Sequence, residues 1–323
     1  MNQSVSLCLQ RIIHEIIPLS SFTSGIGLLN GKMGISILLH HYSRHTMDSE
    51  IEKYARYLTN EICERIFETP NLDFDNGLIG IGWGMERLVA DGYWDGDTDE
   101  KLKKIDHAIW GETGLCRIKG YKLAGVGLYI LTRRFNSKQS ALWEHRISNW
   151  INDIDKIVGQ PEVISKSQFL ILTLYCLSVY LQSGMFIHEI NKLWEKLSVL
   201  LDFGLQWTTC ISEKNIINDL CVSMEQKGCL SFQRELYPVS EWQPTLTDIN
   251  RFYLYKFLCE RMYFQTPDVY REKINALVSD RNHTDYLLKL INPENTGLQS
   301  YVGGFAWSLL QWSISSSLVN NER

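Results

Sequence analysis

Asn76-Gly77-Leu78-Ile79-Gly80-Ile81-Gly82-Trp83-Gly84-Met85-Glu86-Arg87-Leu88-Val89-Ala90-Asp91-Gly92-Tyr93 joins a glycine-dense opening to an amphipathic run. Ile81, Gly84, Met85 and Leu88 fall at helical spacing, and Asn76 is a candidate N-cap. Each glycine inside a helix costs about 1 kcal/mol against alanine, so several in one turn need a compensating reason. A phosphate loop is one such reason, and close approach of helix backbones is another. The kernel here, Gly80-Ile81-Gly82, recurs as Gly34-Ile35-Ser36, Gly125-Val126-Gly127 and Gly304-Phe305-Ala306. A phosphate fingerprint should occur once, after a strand, and no strand-like alternation precedes these glycines. Recurrence favours packing.

The spacing gives the architecture. The kernels lie 46 residues apart from Gly34 to Gly80 and 45 from Gly80 to Gly125. From Gly125 to Gly304 is 179 residues, close to four more steps. That extrapolates to seven units, the fourth to sixth centred near 170, 215 and 260. A period of this length fits two helices and two turns. Predicted helices run near 4–17, 33–45, 48–67, 79–91, 97–110, 123–135, 139–157, 164–182 and 186–203. Others are expected at 247–263, 267–278, 281–291 and 301–315. Glycine-led, more apolar helices alternate with charged ones, as an inner and an outer ring would require. The expectation is an all-α α/α toroid in one domain over 1–323, because the last unit must pack on the first. Residues 206–245 lack a clear period and contain Gly228, Pro238 and Pro244, so an irregular excursion is expected there.

Composition narrows the function. The chain has 323 residues, 45% hydrophobic and 21% charged, with net charge -5. No basic face argues for nucleic acid, and no apolar run is long enough for a transmembrane segment. The N-terminus reads as an amphipathic helix without a basic start. The eight cysteines are scattered, which points to reduced thiols and a cytoplasmic location.

The recurring kernel resembles the lanthionine synthetase C-like (LanC-like) family. Asn30-Gly31-Lys32-Met33-Gly34-Ile35, Asn76-Gly77-Leu78-Ile79-Gly80-Ile81-Gly82 and Gly125-Val126-Gly127-Leu128 carry the resemblance. Gly303-Gly304-Phe305-Ala306-Trp307 closes it. The resemblance implies an α/α toroid whose inner helices begin at one rim around a central cavity. It also implies zinc at that rim and addition of cysteine thiols to dehydrated serine or threonine in ribosomally made peptides. The family's metal ligands come from a Trp-Cys motif in the fifth unit and a Cys-His-Gly motif in the sixth. Neither is intact here. Trp207-Thr208-Thr209-Cys210 places Cys210 near the first ligand position, Leu246-Thr247-Asp248-Ile249-Asn250 stands where the second would be sought, and no Cys-His dipeptide occurs.

The expected reading is therefore a divergent LanC-like protein of peptide modification, without a metal or other cofactor. It would bind a peptide or a partner modifying enzyme. A cyclase with a rebuilt site around Cys210 is the alternative, zinc being possible there. A carbohydrate-active toroid using two carboxylates is a weaker one. Candidate rim carboxylates are Asp73, Asp75 and Asp248. The first two have a blander role beside the positive N-terminus of a helix. Candidate peptide contacts are Trp83, Trp242 and Trp307. Gly31, Gly34, Gly77, Gly80, Gly125 and Gly304 are assigned to packing. Cys210 with Cys221 and Cys229 would make a three-thiolate set of no recognised spacing. His40, His41 and His45 read as solvated or capping groups.

Overall fold

The computed structural model describes residues 3–66, 71–111, 118, 120–158, 160, 167–204, 210–226, 243–293 and 296–321. These residues are helical or irregular, with no strand among them. The helices are α1 (Gln3–Ser20), α2 (Lys32–Thr46), α3 (Ser49–Arg65), α4 (Leu78–Ala90), α5 (Thr98–Lys101), α6 (Lys103–Trp110), α7 (Leu123–Asn136) and α8 (Ser140–Ile157). They continue as α9 (Ser167–Gln182), α10 (Ile187–Gly204), α11 (Ile211–Gln226), α12 (Leu246–Leu258), α13 (Asp268–Ser279), α14 (Arg281–Lys289) and α15 (Tyr301–Asn321).

Seven of these close a ring. Helix α2 packs on α4, α4 on α7, α7 on α9, α9 on α11, α11 on α12, α12 on α15, and α15 back on α2. Helices α3, α6, α8 and α10 lie outside, each against its ring partner, and α1 packs on α15, α13 and α14. This is the arrangement of an α/α toroid.

The two rings differ in sequence for a physical reason. In outer helix α3, Ile51, Ala55, Leu58 and Ile62 form one buried stripe, and Asp48 caps the start by accepting from the Glu50 and Ile51 amides at 3.0 and 3.1 Å. Ring helices have neighbours on every side. Every residue of α9 from Phe169 to Leu181 is buried, and burying each large aliphatic side chain contributes about 1.5–3 kcal/mol.

The ring helices start at 32, 78, 123, 167, 211, 246 and 301. The steps hold at 44–46 residues as far as α11, then shorten to 35 and lengthen to 55. The fourth and fifth units thus stand where extrapolation put them, and the sixth arrives early. Ile211–Gln226 is a regular helix inside the stretch expected to be irregular. Its inward residues Ile216, Ile217, Leu220 and Met224 are apolar, but buried Glu213 and Asn218 interrupt the pattern.

Close approach at the first units uses the kernel glycines. A Cβ on Gly80 would run into the Phe74 carbonyl, one on Gly125 into the Phe74 side chain, and one on Gly34 into the Leu28 carbonyl. Asn76 is not a cap. Gly77 is the N-cap residue of α4 and Gly31 that of α2, neither with a side-chain bond. The first helical amides are instead met by backbone: Lys32 N–H donates to Gly25 O, and Leu78 N–H to Asn71 O, both at 2.9 Å. A Cβ at Gly31 or Gly77 would occupy the space where these loops fold back.

The same loops are joined around the rim. Gln299 N–H donates to Leu29 O at 3.0 Å, and Leu29 N–H to Asp75 O at 2.8 Å. The loop before α15 is thereby bonded to the loop before α2, and that one to the loop before α4. Backbone hydrogen bonds close the ring at its glycine rim.

The middle of the ring is packed with aromatic groups. Trp83 of α4 meets Phe257 of α12 at 5.3 Å between ring centroids, across the ring. Phe257 meets Trp307 of α15 at 4.6 Å, and Trp307 meets His41 of α2 at 5.3 Å. Trp83 and Trp307 are buried.

Candidate functional site at the glycine rim

Cys210 precedes α11, and its carbonyl accepts the Lys214 amide at 3.2 Å, so it sits at the start of that helix. Asp248 lies in the first turn of the next ring helix, α12. The fold brings these two together. The Cys210 Sγ donates to Asp248 Oδ1 at 3.1 Å, and the Ser212 hydroxyl lies 2.9 Å from the same sulfur.

Each partner is held from behind. Asp248 Oδ2 accepts from the Thr245 amide at 2.9 Å and the Thr245 hydroxyl at 2.6 Å, while the Asp248 amide donates to Thr245 Oγ1 at 3.2 Å. This is a capping box, with aspartate in the place usually taken by glutamate. Next to it, buried Glu213 pairs with Arg251 at 2.7 Å. Asn250, in the same turn as Asp248, accepts from the Ser308 hydroxyl of α15 at 3.1 Å.

The electrostatics oppose an activated thiol. A helix N-terminus favours thiolate, but burial dominates and pushes Cys210 up to about 11. At neutral pH the sulfur is a protonated donor to the carboxylate. A catalytic zinc takes about three protein ligands and one open position, and its cysteine ligand is a thiolate. Among the described residues no group of three or more His, Cys, Asp or Glu side chains is placed to hold a metal ion. The Cys210 thiol and a carboxylate engaged on both oxygens supply two of the three protein ligands that such a site takes.

The other candidates lie as follows. Asp73 and Asp75 are half-buried in the loop before α4. Asp73 Oδ1 accepts the Asn76 amide at 2.8 Å, and Oδ2 faces the Lys122 ammonium at 3.3 Å. Asp75 accepts from Gln168 Nε2 at 2.8 Å, and burial holds its carboxyl above the usual range. Both line a narrow cleft of about 20 Å³ with Lys122 and Gly125. Trp307 has no exposed surface and Trp83 almost none. Trp242 and Cys229 lie outside the described residues, while Cys221 is buried on α11.

The histidines depart from expectation. His40 is buried, not solvated, with its Nε2 at 3.3 Å from the Thr59 hydroxyl, and burial lowers it to about 4. His41 faces Asp91 at 3.4 Å among aromatic rings.

Residues 2–114 match the family model described as Lanthionine synthetase C-like protein. Over those residues the chain is similar to the LanC-like family. Neither the curated proteins nor the solved structures gave a match. The LanC-like match covers α1 to α6, the part of the chain that holds the first two kernels. No helix among the described residues is long and apolar enough to cross a membrane.

Sequence reasoning passed over the support of this site. Thr245 was legible, because Thr-Leu-Thr-Asp before an apolar run has the capping-box spacing. The Glu213–Arg251 pair was not, since it joins residues on two different helices.

Proposed function

We propose that this protein is a zinc-independent LanC-like member that holds a peptide at the glycine rim without forming thioethers. The observation that carries the reading is the Cys210–Asp248 hydrogen bond at 3.1 Å. Where the family resemblance calls for a metal-bound thiolate, this chain has a protonated thiol bonded to a capping carboxylate. A group that must lose a proton to act is stabilised here in the protonated form. A peptide cysteine brought to this rim would meet no described set of three ligands to lower its own pKa.

The test uses a dehydrated, cysteine-bearing peptide of the lanthipeptide-precursor type, labelled with a fluorophore. Retention of the peptide with all its thiols still open to alkylation is the expected result. Loss of alkylatable thiols at a rate above the enzyme-free control, abolished by Cys210→Ala, would instead establish a cyclase with a rebuilt site. No retention of the peptide at all would remove the binding role.

A further inference from the structure

At the mouth opposite the glycine rim, the C-terminal ends of α4, α7 and α12 surround a cavity of about 320 Å³. Its wall is closed from behind by Trp83, Leu128, Leu131 and Leu258, each with almost no exposed surface. Four charged side chains stand around that wall: Arg87, Asp91, Glu260 and Arg261. Cavities of this size and mixed lining take small molecules, with a few polar groups fixing orientation.

The charges are unevenly committed. Arg87 is held by Asp91 at 2.8 Å and by Glu260, which reaches across the ring from the turn after α12. That trio carries one net negative charge. Arg261 has no carboxylate partner among the described residues; its guanidinium lies over the Phe135 ring at 3.7 Å. It is exposed and directly follows Glu260. The cavity therefore presents an acidic cluster on one side and an uncommitted cation on another.

A simple anion would gain Arg261 but meet the excess carboxylate, and a simple cation would meet the reverse. A neutral apolar molecule would strip water from both without replacing it, which costs free energy. A dipolar ligand satisfies both. We propose that this mouth binds a small zwitterion of the α-amino-acid type. Its carboxylate pairs with Arg261 and its ammonium with the Glu260–Asp91 side. Arginine suits the carboxylate because its planar fork accepts a bidentate partner.

The test is calorimetric titration and thermal unfolding of the full chain with phenylalanine, leucine, N-acetylphenylalanine and phenylalaninamide. Phenylalanine or leucine is expected to bind and raise the unfolding midpoint. Removing either ligand charge should weaken binding roughly tenfold or more, the scale of one charge-assisted pair. Arg261→Gln should weaken phenylalanine binding by a similar factor and lower the unliganded midpoint by no more than the loss of its contact with the Phe135 ring. N-acetylphenylalanine binding as tightly as phenylalanine, or an affinity indifferent to Arg261→Gln, would overturn the zwitterion site. So would failure of both free amino acids to bind at millimolar concentration. None of these outcomes depends on the peptide-holding role of the opposite rim.

Discussion

Around α2, α4 and α7 the ring helices approach through positions with no side chain, whereas around α11 and α12 they are joined by polar side chains. In the first region a glycine faces a carbonyl or an aromatic ring, as Gly80 and Gly125 face Phe74. In the second, the Cys210 thiol meets the Asp248 carboxylate and Glu213 pairs with Arg251. Both solutions begin ring helices at the same rim. The first tolerates no added atom, and the second tolerates substitution but depends on hydrogen-bond geometry. This difference explains why the repeat is plain in one half of the sequence and faint in the other.

The largest loss is expected from the charges beneath the glycine-led helices. Arg133 of α7 is buried and ion-paired with Glu86 of α4, Asp99 and Asp106. Arg133→Ala would leave Glu86 buried and unneutralised, a loss of about 3–5 kcal/mol in urea unfolding. Gly80→Ala comes next. Its obstacle is backbone, the Phe74 carbonyl, so the cost should lie near the top of the overpacking range, about 3 kcal/mol. An Ala variant as stable as the parent would show that the glycine is not needed for close approach.

The third test uses acid. His40 is lowered to about 4 by burial, while an unfolded histidine titrates near 6.5. Between these values the unfolded chain binds a proton that the folded chain refuses, so stability falls as pH drops through that window. His40→Gln should remove roughly 2 kcal/mol of the fall between pH 7 and 4. An unchanged acid limb would mean that His40 charges without cost.

Smallest are the changes at the second region. Asp248→Ala removes the capping carboxylate and the Cys210 acceptor together, a cost of about 1–2 kcal/mol. Cys210→Ala removes one neutral donor, about 1 kcal/mol or less. Equal, large losses from the two would point to a shared role beyond the cap.

The ring was readable because a glycine that prevents a clash must stay a glycine, and 45- and 46-residue steps repeat that requirement. Helix α11 escaped because its start is marked by Cys210 and Ser212, residues with no helix-start signature of their own in that order. Cys210 and Asp248 were each singled out separately, but nothing in a linear sequence pairs residues 38 apart on successive ring helices. The opposite mouth was illegible for the same reason. Arg87 stands on α4 and Glu260 in the turn after α12, parts of the chain that only closure of the ring brings face to face.

Elemental analysis of the purified, tag-free protein, prepared with and without added zinc, tests the central claim most directly. Zinc well below one ion per chain is expected in both preparations, with no change on Cys210→Ala. One zinc per chain, lost when Cys210 is replaced by alanine, would contradict it and return the rim to thiol-activating chemistry.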